Sequence, residues 1–361
     1  MKTQMFNYDY LQFLQEFPLI LKTILTTRRT RIEPSNNILL VNSCVIGDFI
    51  SSLHAIRTFI RESPSNVDLV VSSPMKRLAG KIRGVRKIYT AKTLLSRPTE
   101  TDVCLEPIGE AYDLIIVMRA SRESCALLKG VRFSRLRTSF SIYIPYFLNL
   151  MTCLVTKREM IPYWEVNFEI FDREPQRLEF DEIFDFSEED HQRVQAVPAL
   201  TTTRRIVLIH TGSGWRMKKW TDDKWVDLIK RVNALGEFRF VFVGHAEEEA
   251  TFRELRDRLD FEIFPFFRQD LADLLLAMRH SDFFIGVDSG PRNMAHLADL
   301  RSITIAGPDP LMFPAFNDKD IIIVKGKKCD GRQLLFASKT PHIDKVEVSE
   351  VYEAFLRLLE T

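Results

Sequence analysis

The chain has 361 residues, 45% of them hydrophobic and 27% charged, with a formal net charge of +1. At about 100–200 residues per domain two domains are the default, and the composition is that of a soluble globular protein with sizeable cores. The near-neutral balance excludes a globally basic nucleic-acid binder, leaving local patches open, and five cysteines without a CxxC pair argue against a disulfide framework or zinc site and fit a reducing cytosol.

The amino-terminal segment sets Tyr10, Leu14, Phe17, Leu21 and Ile24 at helical spacing, with Lys22, Arg28, Arg29 and Arg31 beside or after them. No apolar run reaches the roughly 20 residues of a bilayer span, and the basic residues follow the apolar stretch, the reverse of a signal peptide. Two readings stay open. One is an amphipathic segment resting on an anionic membrane face. The other, the commoner meaning of such periodicity, is a helix packed on the protein's own surface and bent or split at Pro18.

Ile38 to Val41 reads as a short buried strand, followed by the turn Val45-Ile46-Gly47-Asp48 and a helical pattern from Asp48 to about Ile60, with Ile50, Leu53, Ile56 and Ile60 on one face. Val67 to Val71 and Leu114 to Val117 are further strands. Strands alternating with helices imply a parallel sheet covered on both sides. Ser141 to Phe186, aromatic and Pro-punctuated, reads as the end of a first domain and a crossover. The alternation restarts at Thr203 with a strand at Ile206 to Ile209. A helix follows from about Asp222 to Leu235, with Trp225, Leu228, Ile229 and Val232 inward, Thr221 as N-cap and Asp222 and Asp223 favouring its dipole. Next come a strand from Arg239 to Val243 ending in Gly244, a charged helix, a helix from Leu271 to Arg279 and a strand at Phe283. A polar turn, a helix, a strand from Ser302 to Ile305, a Gly307-Pro308 loop and an amphipathic helix from Ser349 to Leu359 complete the pattern.

The turn Asp288-Ser289-Gly290-Pro291 between strand and helix brings backbone N–H groups and a helix N-terminus to one point, which suits a diphosphate. Asp48 sits at the other such turn, where a carboxylate beside a glycine could take a proton from a hydroxyl; an N-cap aspartate is the structural alternative. In the loop from His210 to Trp220, Gly212, Ser213 and Gly214 could present N–H groups and Lys218 a point charge to a phosphate, although the Gly-Lys-Ser/Thr ending of a P-loop is missing. Glu247 follows the strand ending at Gly244, where an acid commonly binds ribose hydroxyls; with Glu248 and Glu249 beside it, a Glu-rich surface helix is the alternative. Arg119, Arg122, Arg132, Arg135 and Arg137 form a basic cluster that either holds an anionic acceptor or is a solvated surface. His210 and His245 share no metal-ligand spacing with other donors.

Three stretches, VNSCVIGDFISSLHAIRTF, HTGSGWRMKKWTDDKWVDLI and FIGVDSGPRNMAHLA…IAGPDP, together resemble glycosyltransferase family 9, the bacterial heptosyltransferases of lipopolysaccharide core assembly. The resemblance spans about Ile38 to Pro310. It implies an α/β protein of GT-B architecture: two Rossmann-like domains whose parallel sheets face across a cleft, with a last helix that commonly returns to the first domain. It also implies an inverting, metal-independent enzyme without a cofactor. Such an enzyme moves a sugar, usually heptose from ADP-heptose, to an anionic glycolipid of the lipopolysaccharide core. Asp48 then matches the catalytic base and Lys218 the lysine on the donor phosphates. Ser213, Asp288, Ser289 and Gly290 match donor-contacting positions, with Glu247, or equally Glu248, as the ribose acid; beside these, Gly214 and Asn293 are assigned to the donor and Arg119 and Arg122 of the basic cluster to the acceptor. The family often has histidine where Asn293 stands, and asparagine cannot titrate or carry charge.

The resulting division is an extension at 1–33, an acceptor domain at 34–186, a nucleotide-sugar domain at 187–346 and a final helix at 347–361. The expected location is the cytoplasm, with peripheral contact at the inner membrane as one reading of the extension. A non-catalytic nucleotide-sugar binder and a nucleotide-sugar epimerase are the alternatives. A nicotinamide dehydrogenase is disfavoured because no Gly-x-Gly-x-x-Gly follows a strand.

Overall fold

The computed structural model describes residues 32, 34–63, 65–91, 107–118, 127, 128, 130–138, 163–212, 219–236, 238–267, 269–306, 317–325 and 342–360. The amino-terminal amphipathic segment and the Gly307-Pro308 loop lie outside the described residues. The chain divides into two compact units, one drawn from residues 1–45, 52–150 and 165–177, the other from 46–51, 151–164 and 178–361.

The first unit is built on β1 (Asn37–Asn42), β2 (Asn66–Ser72), β3 (Val85–Ala91), β4 (Ala111–Val117) and β5 (Arg132–Thr138). They form one sheet in the order β3-β2-β1-β4-β5, every described pairing parallel. β1 and β4 are central and buried on both faces, which is why they read as unbroken apolar runs. Helix α1 (Ile46–Glu62) follows β1 and buries Phe49, Ile50, Leu53, Ile56 and Phe59. Phe59 stacks on Phe171 at 4.7 Å, just past the short helix α3 (Tyr163–Glu169); α2 (Lys76–Ala79) joins β2 to β3.

β5 is the end strand of the described sheet, and it accounts for part of the basic cluster. Arg132, Arg135 and Arg137 are strand residues. Arg135 donates to Ser35 Oγ at 2.7 Å, and Arg137 forks onto Asp172 at 2.6 and 2.9 Å. Charged side chains on an outer strand discourage pairing with another chain. Arg119 and Arg122 lie outside the described residues.

The second unit carries β6 (Arg205–His210), β7 (Phe238–Gly244), β8 (Phe264–Phe267), β9 (Phe283–Val287), β10 (Arg301–Ala306) and β11 (Asp320–Val324), ordered β11-β10-β9-β6-β7-β8 and again parallel in every described pairing. Its helices are α4 (Phe180–Ile183), α5 (Glu188–Gln195), α6 (Asp222–Asn233), α7 (Glu249–Asp257), α8 (Leu271–Arg279), α9 (Gly290–Leu297) and α10 (Val348–Leu359). In α6 the inward set Trp225, Leu228, Ile229 and Val232 is buried as its spacing predicts. Thr221 occupies the N-cap, but its hydroxyl makes no capping bond, so Asp222 and Asp223 supply the favourable charge at that end.

The last helix packs within the second unit, where the family resemblance implied a return to the first domain. Val351, Ala354, Phe355 and Leu358 of α10 join the core of the second sheet, with the Phe355 ring 5.4 Å from Phe238 and 5.0 Å from Phe283. Burial of one such ring contributes about 1.5–3 kcal/mol. Among the described residues no helix is long and apolar enough to cross a membrane.

Candidate active site

Open parallel sheets bind ligands beyond the carboxyl ends of their strands, where the strand order reverses. In the second sheet that point is β6, with β7 on one side and β9 on the other. β9 ends there, and Gly286 pairs with His210 at the end of β6. The chain then continues through Asp288 and Ser289 into α9.

Ser289 is the N-cap of α9 with extended backbone, but its hydroxyl donates backwards to the Val287 carbonyl at 3.0 Å instead of capping the helix. Pro291 has no N–H to satisfy. The first turn of α9 therefore starts without a side-chain cap, and its N–H groups and dipole favour an anion. Asp288 is fixed from behind: its N–H donates to the Ile305 carbonyl at 3.3 Å, and its Oδ1 lies 3.7 Å from Arg292 Nη1.

Asp48 is not an N-cap. Val45 holds that position in α1, again without a side-chain capping bond, which puts Asp48 third in the first turn. Its side chain is half-buried, neither sealed in a core nor fully in water. A carboxylate there is also favoured by the helix dipole.

Residues 46–51, the first turn and a half of α1, belong to the second unit, and they touch α9. A Cβ on Gly290 would stand 3.1 Å from Ile46 Cγ2 and 3.5 Å from the Gly47 nitrogen; one on Gly47 would stand 3.3 Å from Asn293 Nδ2. Asn293 donates its amide to the Gly47 carbonyl at 3.2 Å and to Ser51 Oγ at 3.3 Å, and Ser51 Oγ donates to the same carbonyl at 2.8 Å. The structure thus gathers Asp288, Ser289, Gly290 and Asn293 with the turn that carries Asp48. Ser213, Gly214 and Lys218 lie outside the described residues, as does the side chain of Glu247.

Glu248 is the acid that the structure places at the ends of β6 and β7. Its carboxylate occupies the space where a Cβ on Gly212 or Gly244 would sit, and it accepts a hydrogen bond from the His245 N–H. The reciprocal cap between His245 and Glu248 has the three-residue spacing of a capping box, which is the signal that separates it from Glu247. Beside it His210 is buried and hydrogen-bonded through Nδ1 to the Val243 carbonyl at 2.9 Å; burial pushes its pKa down, so the ring is neutral and Nδ1 carries the proton.

Sequence reasoning missed a buried charged cluster behind the turn. Arg292 Nη2 lies 3.4 Å from Asp320 Oδ2, which His296 Nε2 approaches to 2.9 Å, and Ser302 Oγ donates to Asp320 Oδ1 at 2.9 Å. Burial works to raise the Asp320 pKa, but His296, Arg292 and Ser302 outweigh it and hold the carboxyl below its ordinary range. Burial and the Arg292 charge lower the His296 pKa, which favours the neutral ring. An arginine and a histidine four apart in α9, both buried, were the available signal. Among the described residues no three His, Cys, Asp or Glu side chains gather so as to hold a metal ion.

Two parallel-sheet α/β units with a polar, helix-bound turn at the strand ends define a protein of the GT-B class. Residues 107–334, more than half of the chain, match the model of glycosyltransferase family 9 (heptosyltransferase), and the chain belongs to that family. Over 183 residues it is 30% identical to Lipopolysaccharide heptosyltransferase 1 of Campylobacter coli, a match covering 48% of this chain and 50% of the relative; the chain thus spans about half the length of that relative. Its fold is similar to a glycosyl transferase family 9 structure from Veillonella parvula (TM-score 0.74, 14% identity, 92% of this chain and 100% of that one). It is also similar to the E. coli ADP-heptose lps heptosyltransferase II (TM-score 0.66, 16% identity, 90% and 98%). A third similar fold is the E. coli heptosyltransferase WaaC with ADP-2-deoxy-2-fluoro heptose (TM-score 0.64, 15% identity, 89% and 99%).

Proposed function

We propose that the chain is an inverting, metal-independent glycosyltransferase that moves a sugar, heptose in the first instance, from ADP-heptose to a lipopolysaccharide-core or related anionic glycolipid. Family membership supports the reaction class. The names of the similar proteins, one a lipopolysaccharide heptosyltransferase and another crystallised with an ADP-linked fluoro-heptose, support the choice of donor and acceptor. The single observation that carries the reading is the packing of the first turn of α1, through Ile46 and Gly47, against Gly290 and Asn293, because Asp48 is the next residue of that turn.

The mechanism is one displacement. Asp48 accepts the acceptor hydroxyl's proton as that oxygen attacks the anomeric carbon from the face opposite the diphosphate, and a single attack inverts the centre. A carboxylate is a weak base toward an alcohol, so proton transfer accompanies C–O bond formation rather than preceding it. The departing diphosphate is stabilised by N–H groups of the Ser289-Gly290 turn and by Lys218, an electrostatic role of the oxyanion-hole type. Ser213, Gly214 and Asn293 complete the donor site, and Glu247, or equally Glu248, binds the ribose hydroxyls. Arg119 and Arg122 meet the anionic acceptor, the first unit serving the acceptor and the second, with its last helix, the donor. The location proposed is the cytoplasm, with contact at the inner membrane as one of the two readings of the amino-terminal extension.

Asp48→Asn tests the assignment. Calorimetric binding of ADP-heptose should stay within about threefold of the parent, while transfer to lipopolysaccharide core falls by roughly 10²–10⁴, the usual worth of a general base. Near-parental turnover would remove Asp48 from the chemistry. Donor binding by the parent without transfer to any core acceptor would instead favour a binding role.

A further inference from the structure

The buried cluster behind the donor turn has no part in the displacement above. Arg292 is completely buried in the first turn of α9, and its guanidinium faces two carboxylates from different elements: Asp288 at the end of β9 and Asp320 at the start of β11. Asp320 is itself held by Ser302 of β10 and by His296 one helical turn further along α9. A helix position facing a sheet takes an aliphatic side chain by default. Burying a guanidinium there costs far more unless it is paired and hydrogen-bonded, and replacing such a cluster by apolar residues is often neutral or stabilising. Stability alone therefore gives no reason for it.

Its location gives one. Asp288 immediately precedes the two residues whose N–H groups are assigned to the diphosphate. An uncompensated carboxylate there would oppose a second anion across a short distance in a poorly solvated place. We propose that Arg292 is a positioning residue for the donor: it neutralises Asp288 and draws the carboxylate back toward α9, with Asp320, Ser302 and His296 holding the guanidinium in place. The turn then keeps its N–H donors toward the diphosphate without a competing negative charge. The planar fork suits this task because it reaches both acids at once, which a lysine's single ammonium cannot do. This inference rests on the donor site proposed above.

The test is calorimetric titration of the full chain with ADP, comparing the parent with Asp288→Asn, Arg292→Lys, Arg292→Met and the double variant Asp288→Asn/Arg292→Lys, alongside thermal melts of each. Lysine keeps a charge beside the two acids, so Arg292→Lys preserves the measurement if Arg292→Met does not fold. Arg292→Lys and Arg292→Met should each weaken ADP about tenfold, Asp288→Asn should bind within about threefold of the parent, and the double variant should recover most of the loss, because without the carboxylate there is no charge left to neutralise. A double variant that stays as weak as Arg292→Lys alone would overturn the inference, as would Arg292→Lys binding ADP like the parent while melting lower. Failure of the parent to bind ADP would instead overturn the donor assignment and this inference with it.

Discussion

Asn293 donates its side-chain amide to the Gly47 carbonyl oxygen at 3.2 Å, a contact between residues 246 positions apart that ties the first turn of α9 to the first turn of α1. The same amide reaches Ser51 Oγ, so one side chain fixes the turn on which Asp48 stands.

Replacing Asn293 by alanine removes both bonds in a half-buried place. At about 0.5–1.5 kcal/mol per bond the loss should come to about 1–3 kcal/mol in urea unfolding. Transfer should fall more than donor affinity, because the base loses its support while the Ser289-Gly290 turn is kept. Unchanged stability and turnover would show that the contact holds nothing in place.

Phe355→Ala tests the packing of α10. The ring meets Phe238 and Phe283, and its removal should cost about 3–5 kcal/mol. Hydrogen exchange should then rise across β7 and β9 and stay at the parental level across β1 and β4. Faster exchange confined to β1 and β4 would place the helix elsewhere.

Three histidines give stability a particular pH dependence. Burial lowers the pKa of His210; burial and Arg292 lower that of His296; burial, His191 and Arg279 lower that of His280. Unfolding returns each to the ordinary value near 6.5. Below that value the unfolded chain binds protons that the folded one refuses. The contribution is therefore complete above about pH 6.5 and is lost as pH falls toward the folded pKa values. Each fully buried ring adds a slope of at most about 1.4 kcal/mol per pH unit, and the half-buried His280 adds less. Urea midpoints should drop steeply between about pH 6.5 and 5.5, with a shallower slope in His210→Gln. A flat profile over that range would contradict the argument.

Gly212 and Gly244 make room for the Glu248 carboxylate. A methyl at Gly212 would overlap it, but the carboxylate is the far end of a flexible side chain and can swing away. Gly212→Ala should therefore fold at a cost of about 1.5–3 kcal/mol, the loss of one charged hydrogen bond to the His245 N–H. ADP-heptose affinity should drop about tenfold, equivalent to about 1.4 kcal/mol. Parental affinity would remove Glu248 from the ribose site.

Much of this architecture can be read from the residues, and the exceptions have physical causes. β1, β4, β6 and β9 are buried on both faces, so their apolar runs announce them. β5 carries three arginines because it is an outer strand, and a strand half in water looks like a basic loop. β8 contains Pro265, which an outer strand tolerates but which argues against a strand in sequence. The Asp288-Ser289-Gly290 turn and the Gly47-Asp48 turn are legible because glycine and small polar residues mark sharp strand-to-helix junctions. Their meeting is not, since nothing local links Asn293 to Gly47. The Arg292 cluster is equally hidden: its partner Asp320 opens a short strand beyond the last recognised motif.

The strand order sets a timetable for synthesis. Ile38 of β1 pairs with Leu114 of β4, and Val207 of β6 pairs with Phe283 of β9, so in each sheet a central strand waits for a neighbour roughly 75 residues downstream. At about 5–20 residues per second that delay is about 4–15 s. Throughout it one flank of an apolar strand stays unpartnered on the ribosome, making each nascent sheet a client for chaperones that shield sticky edges.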